Sequence, residues 1–245
     1  MKSSVITFPG SNCDRDMDVA LKKFGFKNKM VWHDDVELPK SDLVVLPGGF
    51  SYGDYLRCGS MASKSKIMQS VINFANSGGM VMGICNGFQV LTKLGLLPDI
   101  SKERDMALAP NIHGRFLDSW VQMERVKNAV CKWTKGLVHL EMPIRHGEGR
   151  VVFSRGRERQ IYEELLKRGQ IALRYKKDIN GSYENIAGVT DRTGLILGLM
   201  PHPEGFLYRE THYQRRLTYE MMEEGDGLRL FKNIIEYCKK SGENV

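Results

Sequence analysis

This 245-residue sequence has no long apolar stretch. A membrane-spanning helix requires about 18 or more consecutive apolar residues, and no run here approaches that length. The short apolar run near the N-terminus is not followed by the small-residue cleavage pattern of a secretory signal. We therefore expect a cytoplasmic protein that makes no contact with a membrane.

Cysteine is scarce, and its spacing excludes two common uses. The five cysteines are Cys13, Cys58, Cys85, Cys131 and Cys238. Their odd number and irregular spacing argue against a disulfide framework, and no Cys-x-x-Cys pair is present to bind a metal ion. A reducing compartment is the natural setting for such thiols. The chemical use that remains for one of them is as a nucleophile.

The glycine-rich patterns that hold nucleotide phosphates are also missing. Neither G-x-x-x-x-G-K-[ST] nor G-x-G-x-x-G occurs in the sequence. The sequence therefore predicts no cofactor and no metal ion on this chain.

Lysine and arginine outnumber aspartate and glutamate by 36 to 29, which gives a net charge of +7. Such a charge permits contact with nucleic acid or with an acidic protein. The charges are scattered along the chain, however, and scattered charge favours a mixed solvated surface. We expect no nucleic-acid partner, and a binding assay at several salt concentrations would test that alternative.

Strand and helix patterns alternate along the first part of the chain. Short β-branched or apolar runs predict strands at residues 5–8, 29–33, 43–46 and 80–84. Apolar residues at helical spacing follow at residues 14–24, 67–75 and 87–91. Such alternation is typical of an α/β fold with a mostly parallel central sheet flanked by helices.

The second part of the chain is less regular. Further strands are predicted at residues 117–123, 137–143, 171–175, 186–189 and 195–199. Helices are predicted near residues 161–166 and 231–237. Because no repeat and no linker rich in glycine, serine or proline separates these parts, we expect one domain over residues 1–245.

The sharpest motif is G-I-C-N-G at residues 83–87. A buried strand ends, Cys85 occupies a tight turn and a helix begins, as in the nucleophile elbow G-x-S-x-G with cysteine in place of serine. The two glycines let strand and helix pack closely, and the positive end of the helix favours the thiolate form of Cys85. We interpret Cys85 as a nucleophile. The alternative is a small buried cysteine beside a glycine turn.

A cysteine nucleophile needs a base, and His202 is the best candidate among six histidines. His202 lies between two prolines after a predicted strand, and Glu204 is close enough in sequence to orient the imidazole. A chance pair in a surface loop is the alternative. His146 is a weaker rival, in a polar turn at residues 145–150 that could bind an anion or the substrate. The other four histidines are interpreted as structural or solvated.

A second glycine-rich turn, at residues 47–54, also follows a buried strand. Its glycines let backbone N–H groups face an incoming carbonyl group. One N–H from Gly49 or Phe50, together with that of Asn86, would form an oxyanion hole. The alternative is an ordinary turn.

Taken together, these motifs resemble the class I glutamine amidotransferases. The resemblance rests on G-x-C-x-G with Gln89 four residues after the cysteine, an upstream P-G-G and a downstream H-x-E. Within that family the chain is similar to the glutaminase subunits of phosphoribosylformylglycinamidine synthases. The stretches that carry this closer resemblance are PGSNCD (9–14), PGGFSYGDYLR (47–57), GICNGFQ (83–89), HGEGR (146–150), NIAG (185–188) and MPHPE (200–204).

The resemblance implies a flavodoxin-like sheet with the nucleophile at the C-terminal end of a strand. It implies that Cys85 is the nucleophile, that His202 is the general base and acid, and that Glu204 orients His202. It also implies that Gln89 lies beside the glutamine pocket, and that the backbone of residues 49–50 completes the oxyanion hole.

The resemblance also implies partners. Glutamine would be hydrolysed to glutamate and ammonia. The ammonia would pass to a large synthetase subunit that uses ATP and magnesium to convert formylglycinamide ribonucleotide to the amidine in purine biosynthesis. A small third subunit usually completes such a complex. A chain of 245 residues holds one glutaminase domain but not also the synthetase, and the +7 charge is then interpreted as a contribution to docking.

Other functions stay open at this point. The chain could be the glutaminase of another synthetase, a stand-alone cysteine hydrolase, or a non-catalytic regulatory module on the same fold. Two stretches depart from the family pattern, the charged segment within residues 97–111 and a longer insertion at residues 205–227.

Overall fold

The computed structural model describes residues 1–100, 105–214 and 224–242. Its strands are β1 (Lys2–Thr7), β2 (Lys27–Trp32), β3 (Leu43–Leu46), β4 (Met80–Ile84), β5 (Met106–Ala109), β6 (Leu117–Arg125), β7 (His139–His146), β8 (Arg150–Phe153), β9 (Ile171–Tyr175), β10 (Ile186–Thr190) and β11 (Ile196–Leu199). Its α-helices are α1 (Asp14–Lys23), α2 (Met68–Asn76), α3 (Asn86–Leu94), α4 (Glu158–Lys167) and α5 (Asp226–Gly242). The two stretches that depart from the family pattern lie partly outside the described residues, at 101–104 and 215–223.

Nine strands form one sheet in the order β2-β1-β3-β4-β11-β10-β9-β6-β7. The first five in that order are parallel neighbours. Strands β3, β4 and β11 are buried at every residue, which explains why their sequences are continuous apolar runs rather than alternating ones. The predicted α/β class, with parallel strands at its centre and helices around them, is confirmed.

The other four strands of the sheet pair in antiparallel fashion. Strand β10 lies between β11 and β9, and β6 lies between β9 and β7. The apolar patterns located these strands but not their direction, because burial of alternate or successive residues is the same in either direction. A separate two-stranded sheet pairs β5 with β8. Neither of these strands was predicted, because each has only four residues and stands beside a charged or polar stretch.

The helices cover the sheet with apolar stripes. Helix α1 buries Met17, Ala20 and Leu21, and helix α2 buries Met68 and Val71, at the three- and four-residue spacings of one helix face. Both stripes follow the periodicity from which the helices were predicted. Among the described residues, no helix is long and apolar enough to span a membrane.

The parallel strands bring four separate chain segments to one edge of the sheet. Strand β1 leads into residues 8–13, β3 into 47–54, β4 into Cys85 and β11 into 200–204. The sheet order reverses beside β1, since β2 lies on one side of it and β3 on the other. In open α/β sheets, sites form outside the carboxyl ends of strands near such a reversal. All the candidate catalytic residues lie at this edge.

Candidate active site

Cys85 occupies a strained turn between β4 and α3. Its backbone has φ 49° and ψ −102°, a left-handed region that costs a non-glycine residue about 1–3 kcal/mol. Its N–H donates to the carbonyl oxygen of Leu199 at 2.7 Å, and its own carbonyl oxygen accepts from the N–H of Gln89 at 3.2 Å. The buried thiol lies 3.5 Å from the carbonyl oxygen of Arg145. The turn therefore fixes the sulfur at the N-terminus of α3.

The two glycines of the turn allow very close packing. A Cβ atom on Gly87 would lie 1.9 Å from the carbonyl oxygen of Leu46, at the end of β3. A Cβ atom on Gly83 would lie 2.5 Å from Leu91 Cδ1 and 2.7 Å from the carbonyl oxygen of Gly87. Helix α3 thus rests directly on β3 and β4, and no other residue type fits at position 87 without movement of the backbone.

His202 and Glu204 form a buried pair just beyond the end of β11. His202 Nδ1 lies 2.6 Å from Glu204 Oε1, and both side chains are 2% exposed. Burial opposes the charged imidazole, but the charge of Glu204 and the nearby thiols of Cys13 and Cys85 outweigh it. The pKa of His202 is consequently held well above its usual value. The pair is therefore suited to hold a proton and then donate it.

Neighbouring backbone fixes the turn that carries this pair. The N–H of His202 donates to the carbonyl oxygen of Pro143 at 2.9 Å. Gly227, at the start of α5, packs so closely that a Cβ there would lie 1.9 Å from the carbonyl oxygen of Pro203. A Cβ on Gly48 would lie 2.6 Å from His202 Cε1. Gly48 thus packs against the imidazole itself, while Gly227 packs against the backbone of the residue that follows it.

The backbone donors predicted for an oxyanion hole are not equivalent. The N–H of Phe50 donates to the carbonyl oxygen of Gly10 at 3.2 Å, so it is already engaged. The N–H of Gly49 donates to no group among the described residues. Gly49 has φ 132°, and a Cβ there would lie 2.8 Å from the backbone nitrogen of Asn12. Asn86 lies in the first turn of α3, where helical bonding leaves N–H groups unpaired. The geometry therefore favours Gly49 and Asn86, and not Phe50.

Asn86 and Gln89 link the elbow helix to two loops. Asn86 Nδ2 donates to Gln89 Oε1 at 2.9 Å and to Asp54 Oδ1 at 3.2 Å. Gln89 Nε2 donates to the carbonyl oxygen of Glu148 at 2.5 Å. Burial raises the pKa of Asp54. A hydrogen bond from Cys58 acts against this rise, and the negative charge of Glu148 adds to it. The side chains of Asn86 and Gln89 are thus committed to holding the loops, and contact of Gln89 with glutamine stays a prediction.

His146, the rival histidine, is buried at the end of β7. Its Nδ1 and the side-chain oxygen Oδ1 of Asn111 lie 3.1 Å apart. Burial, reinforced by the positive charges of His202 and His113, lowers the pKa of His146 to about 4. The ring is therefore neutral near neutral pH, which argues against binding of an anion through its charge. The pKa values of His146 and His202 are shifted in opposite directions, and of these two histidines only His202 carries a proton readily.

The shifted pKa of His146 predicts a pH dependence of stability. As pH falls from about 6.5 towards 4, the unfolded chain gains the proton of His146 before the folded chain does, so stability decreases. Between pH 7 and pH 5, wild type should lose about 2 kcal/mol more unfolding free energy than His146→Gln. Urea unfolding at both pH values measures this difference. The exposed His139 provides a control, since His139→Gln should behave as wild type; equal losses in His146→Gln and wild type would contradict the assignment.

One residue beside the pair was not given a role from the sequence. Ligand atoms of Cys13, His202 and Glu204 all lie within 4.8 Å of one another. Cys13 precedes α1, in the loop that follows β1. Its distance in sequence from His202 hides this proximity. The rule that parallel strands end at the same edge is the signal that would have found it.

Comparisons with known proteins agree on one family. A model of the CobB/CobQ-like glutamine amidotransferase domain matches residues 1–238. The phosphoribosylformylglycinamidine synthase subunit PurQ of Pelagibacter ubique is 51% identical over 250 residues, covering 98% of this chain and 100% of that protein. The protein of the same name from Trichormus variabilis is 42% identical, covering 96% of this chain and 97% of that protein.

Solved structures are similar over almost the full length. A chain of the structure of PurLQS from Thermotoga maritima is 38% identical, with a TM-score of 0.77, and the match covers 97% of this chain and 98% of that one. A glutamine amidotransferase from Thermotoga maritima is 18% identical with a TM-score of 0.56, covering 95% and 90% of the two chains. The second likeness concerns the fold alone.

Proposed function

We propose that this chain hydrolyses glutamine to glutamate and ammonia through Cys85, His202 and Glu204. The chain belongs to the family of CobB/CobQ-like glutamine amidotransferases. The resemblance predicted from the sequence is confirmed by the family match and by relatives that are 51% and 42% identical. The observation that supports the assignment of residues is the buried His202–Glu204 pair just beyond the end of β11, beside strand β4, which leads into Cys85.

In the first half of the reaction, His202 takes the proton of the Cys85 thiol, and the resulting thiolate sulfur attacks the side-chain amide carbon of glutamine. The carbonyl oxygen becomes an oxyanion, which the N–H groups of Gly49 and Asn86 stabilise. His202 donates its proton to the amide nitrogen, the C–N bond breaks, and ammonia leaves. A γ-glutamyl thioester on Cys85 remains.

In the second half, water hydrolyses this thioester. His202 takes a proton from the water, whose oxygen attacks the thioester carbon. The C–S bond breaks, glutamate leaves, and the proton returns to the Cys85 sulfur. Glu204 holds the imidazole in one orientation throughout and stabilises its charged form, as its 2.6 Å contact allows.

The ammonia serves the synthesis for which the relatives are named. The names of the Pelagibacter and Trichormus relatives support formation of formylglycinamidine ribonucleotide from formylglycinamide ribonucleotide, in purine biosynthesis. The PurLQS complex from Thermotoga supports two partners, a large synthetase and a small third subunit. In this proposal the synthetase binds ATP and magnesium, while this chain uses no cofactor. Five free thiols are in keeping with a cytoplasmic setting.

A reconstitution experiment tests the proposal. Glutamate release by the full chain is measured alone and after addition of the synthetase and third subunit with ATP and formylglycinamide ribonucleotide. We expect the rate to rise by about 5–150-fold, the range of typical coupling between sites. With glutamine labelled by ¹⁵N at the amide, the label should appear in the amidine product. Absence of both the rise and the label would contradict the proposal, and stimulation by a different synthetase would identify another type of glutaminase.

A further inference from the structure

We propose that a cavity between the loop after β6 (126–135) and helix α5 binds a phosphorylated small molecule, a sugar phosphate or a nucleotide. The cavity has a volume of about 510 Å³. Sites for small ligands typically measure about 300–1,000 Å³, whereas a surface that docks a protein needs no such enclosed space. The proposed glutaminase reaction makes no use of this cavity.

The cavity lies at the edge of the sheet opposite the candidate active site. The N–H of Lys132 donates to the carbonyl oxygen of Gly194 at 3.0 Å, in the turn before β11 begins. Cys85 instead follows the carboxyl end of β4, which runs parallel to β11. A ligand in the cavity and glutamine at Cys85 therefore occupy separate sites.

Positive charge dominates the lining. Four cationic residues and one acidic residue, Glu236, line the cavity, which gives a net charge of +3. The cationic residues are Arg125, Lys132, Lys135 and Lys240. Within the part of the chain that the structure describes, the side chains of Lys132 and Lys135 form no ion pair and no hydrogen bond. An anion bound among these groups would offset their mutual repulsion.

Arg125 holds one of these charges in a fixed place. Its guanidinium group donates to the carbonyl oxygens of Val126, Lys127 and Ala129, at 3.3, 3.1 and 2.6 Å. These carbonyl groups satisfy its donors but carry no charge of their own. Arg125 has no carboxylate partner among the described residues, so its positive charge adds to that of the two lysines.

The two walls of the cavity are held rigidly against each other. A Cβ on Gly194 would lie 2.2 Å from the carbonyl oxygen of Val130, so the loop rests directly on the turn before β11. The side-chain amide of Asn233, on α5, donates to the carbonyl oxygens of Trp133 and Lys135, each at 2.8 Å. Trp133 itself is fully buried. Because these groups are already ordered, a ligand incurs little of the usual entropic cost of binding.

The charge and the size of the cavity fit a phosphate ester better than a carboxylate. A phosphate ester carries a charge of about −1.5 to −2 near pH 7 and three acceptor oxygens, whereas a carboxylate carries a single negative charge. Lysine ammonium groups bind phosphate as point charges with three donors each. A water molecule takes about 30 Å³, so the cavity also has room for a sugar or a base. Glu236 offers an acceptor for a sugar hydroxyl group, and the partly buried Tyr237 offers an aromatic surface.

Calorimetric titration of the full chain tests this site. The probes are ribose 5-phosphate and AMP, with ribose and adenosine as the matched molecules that lack phosphate. We expect both phosphorylated probes to bind and both unphosphorylated ones not to bind. Lys132→Ala/Lys135→Ala should weaken binding by about 100-fold, since a hydrogen bond to a charged group contributes about tenfold or more. Lys29→Ala, which removes an exposed lysine on β2, should bind as wild type does.

Two controls make the result decisive. Thermal unfolding without ligand shows that each variant folds, and Lys132→Arg/Lys135→Arg, which keeps both charges, should retain most of the affinity. Absence of binding by wild type, equal binding by wild type and the double alanine variant, or equal binding of AMP and adenosine would overturn the site. The titration is repeated on the assembled complex, where binding should persist. Its loss on assembly would mean that a partner subunit covers the cavity, and it would overturn the small-molecule site. None of these outcomes depends on glutamine hydrolysis.

Discussion

Replacement of Cys85 by alanine is expected to abolish glutamine-dependent synthesis by the assembled complex, while synthesis from added ammonia continues at the wild-type rate. In the proposed reaction the sulfur forms the bond to the substrate carbon, and alanine at the strained turn offers no group to replace it. The loss of glutaminase activity should be roughly 10⁴-fold or more, as for other nucleophiles of catalytic triads. Steady-state rates with glutamine and with ammonium salts, measured on the same preparation, give both quantities.

Two further variants sharpen this result. Cys238→Ala removes a half-buried thiol that contacts Met80 away from the site, and it should retain both activities. The double variant Cys85→Ala/His202→Ala should be no worse than either single variant, because residues that act as a unit are not additive. Equal loss of the glutamine and ammonia reactions in Cys85→Ala would mean that the change disrupts the complex, and retention of both would exclude Cys85 as the nucleophile.

Gly87→Ala is expected to destabilise the fold more than any other single change at the elbow. The new Cβ would lie 1.9 Å from the carbonyl oxygen of Leu46. Because this oxygen belongs to the backbone of β3, no rotation of a side chain relieves the overlap, and helix α3 must move off the sheet. We expect a loss of at least about 4 kcal/mol in unfolding free energy, a size reserved for severe disruption. Urea unfolding of the isolated chain measures it.

Gly78→Ala is the matched control for this effect. Gly78 has φ 85°, but a Cβ there meets nothing within 4 Å. Its substitution should therefore cost only the strain of a left-handed backbone, about 1–2 kcal/mol. The difference between the two variants isolates the packing contact. Similar losses in both would show that the helix yields easily and that the close approach is not required.

Local patterns sufficed for the central part of this protein. Strands β3 and β4 are continuous apolar runs because both faces are covered, and the same burial makes them visible in the sequence. The turn at Cys85 was predicted because its glycines and its place between strand and helix are adjacent in sequence. His202 and Glu204 could be paired for the same reason, since only one residue separates them.

Features that depend on distant contacts could not be predicted in this way. Nothing near Phe50 in the sequence indicates that its N–H is bonded to Gly10, so the choice between Phe50 and Gly49 needed the structure. The place of Cys13 beside His202 depends on how β1 and β11 lie in the sheet. Strands β5 and β8 are short, and each is stabilised by the other rather than by its own pattern.

The position of β11 in the sheet has a consequence for synthesis of the chain on the ribosome. This strand is the last of those described, yet it lies between β4 and β10. Until it emerges, β4 has an unpaired apolar edge, and such edges invite aggregation. Over the same period Cys85 lacks both the Leu199 oxygen that holds its turn and the histidine that follows β11. The pairing of β11 with β4 is therefore one late step with two effects. It covers the apolar edge of β4, and it brings the proposed catalytic histidine to Cys85.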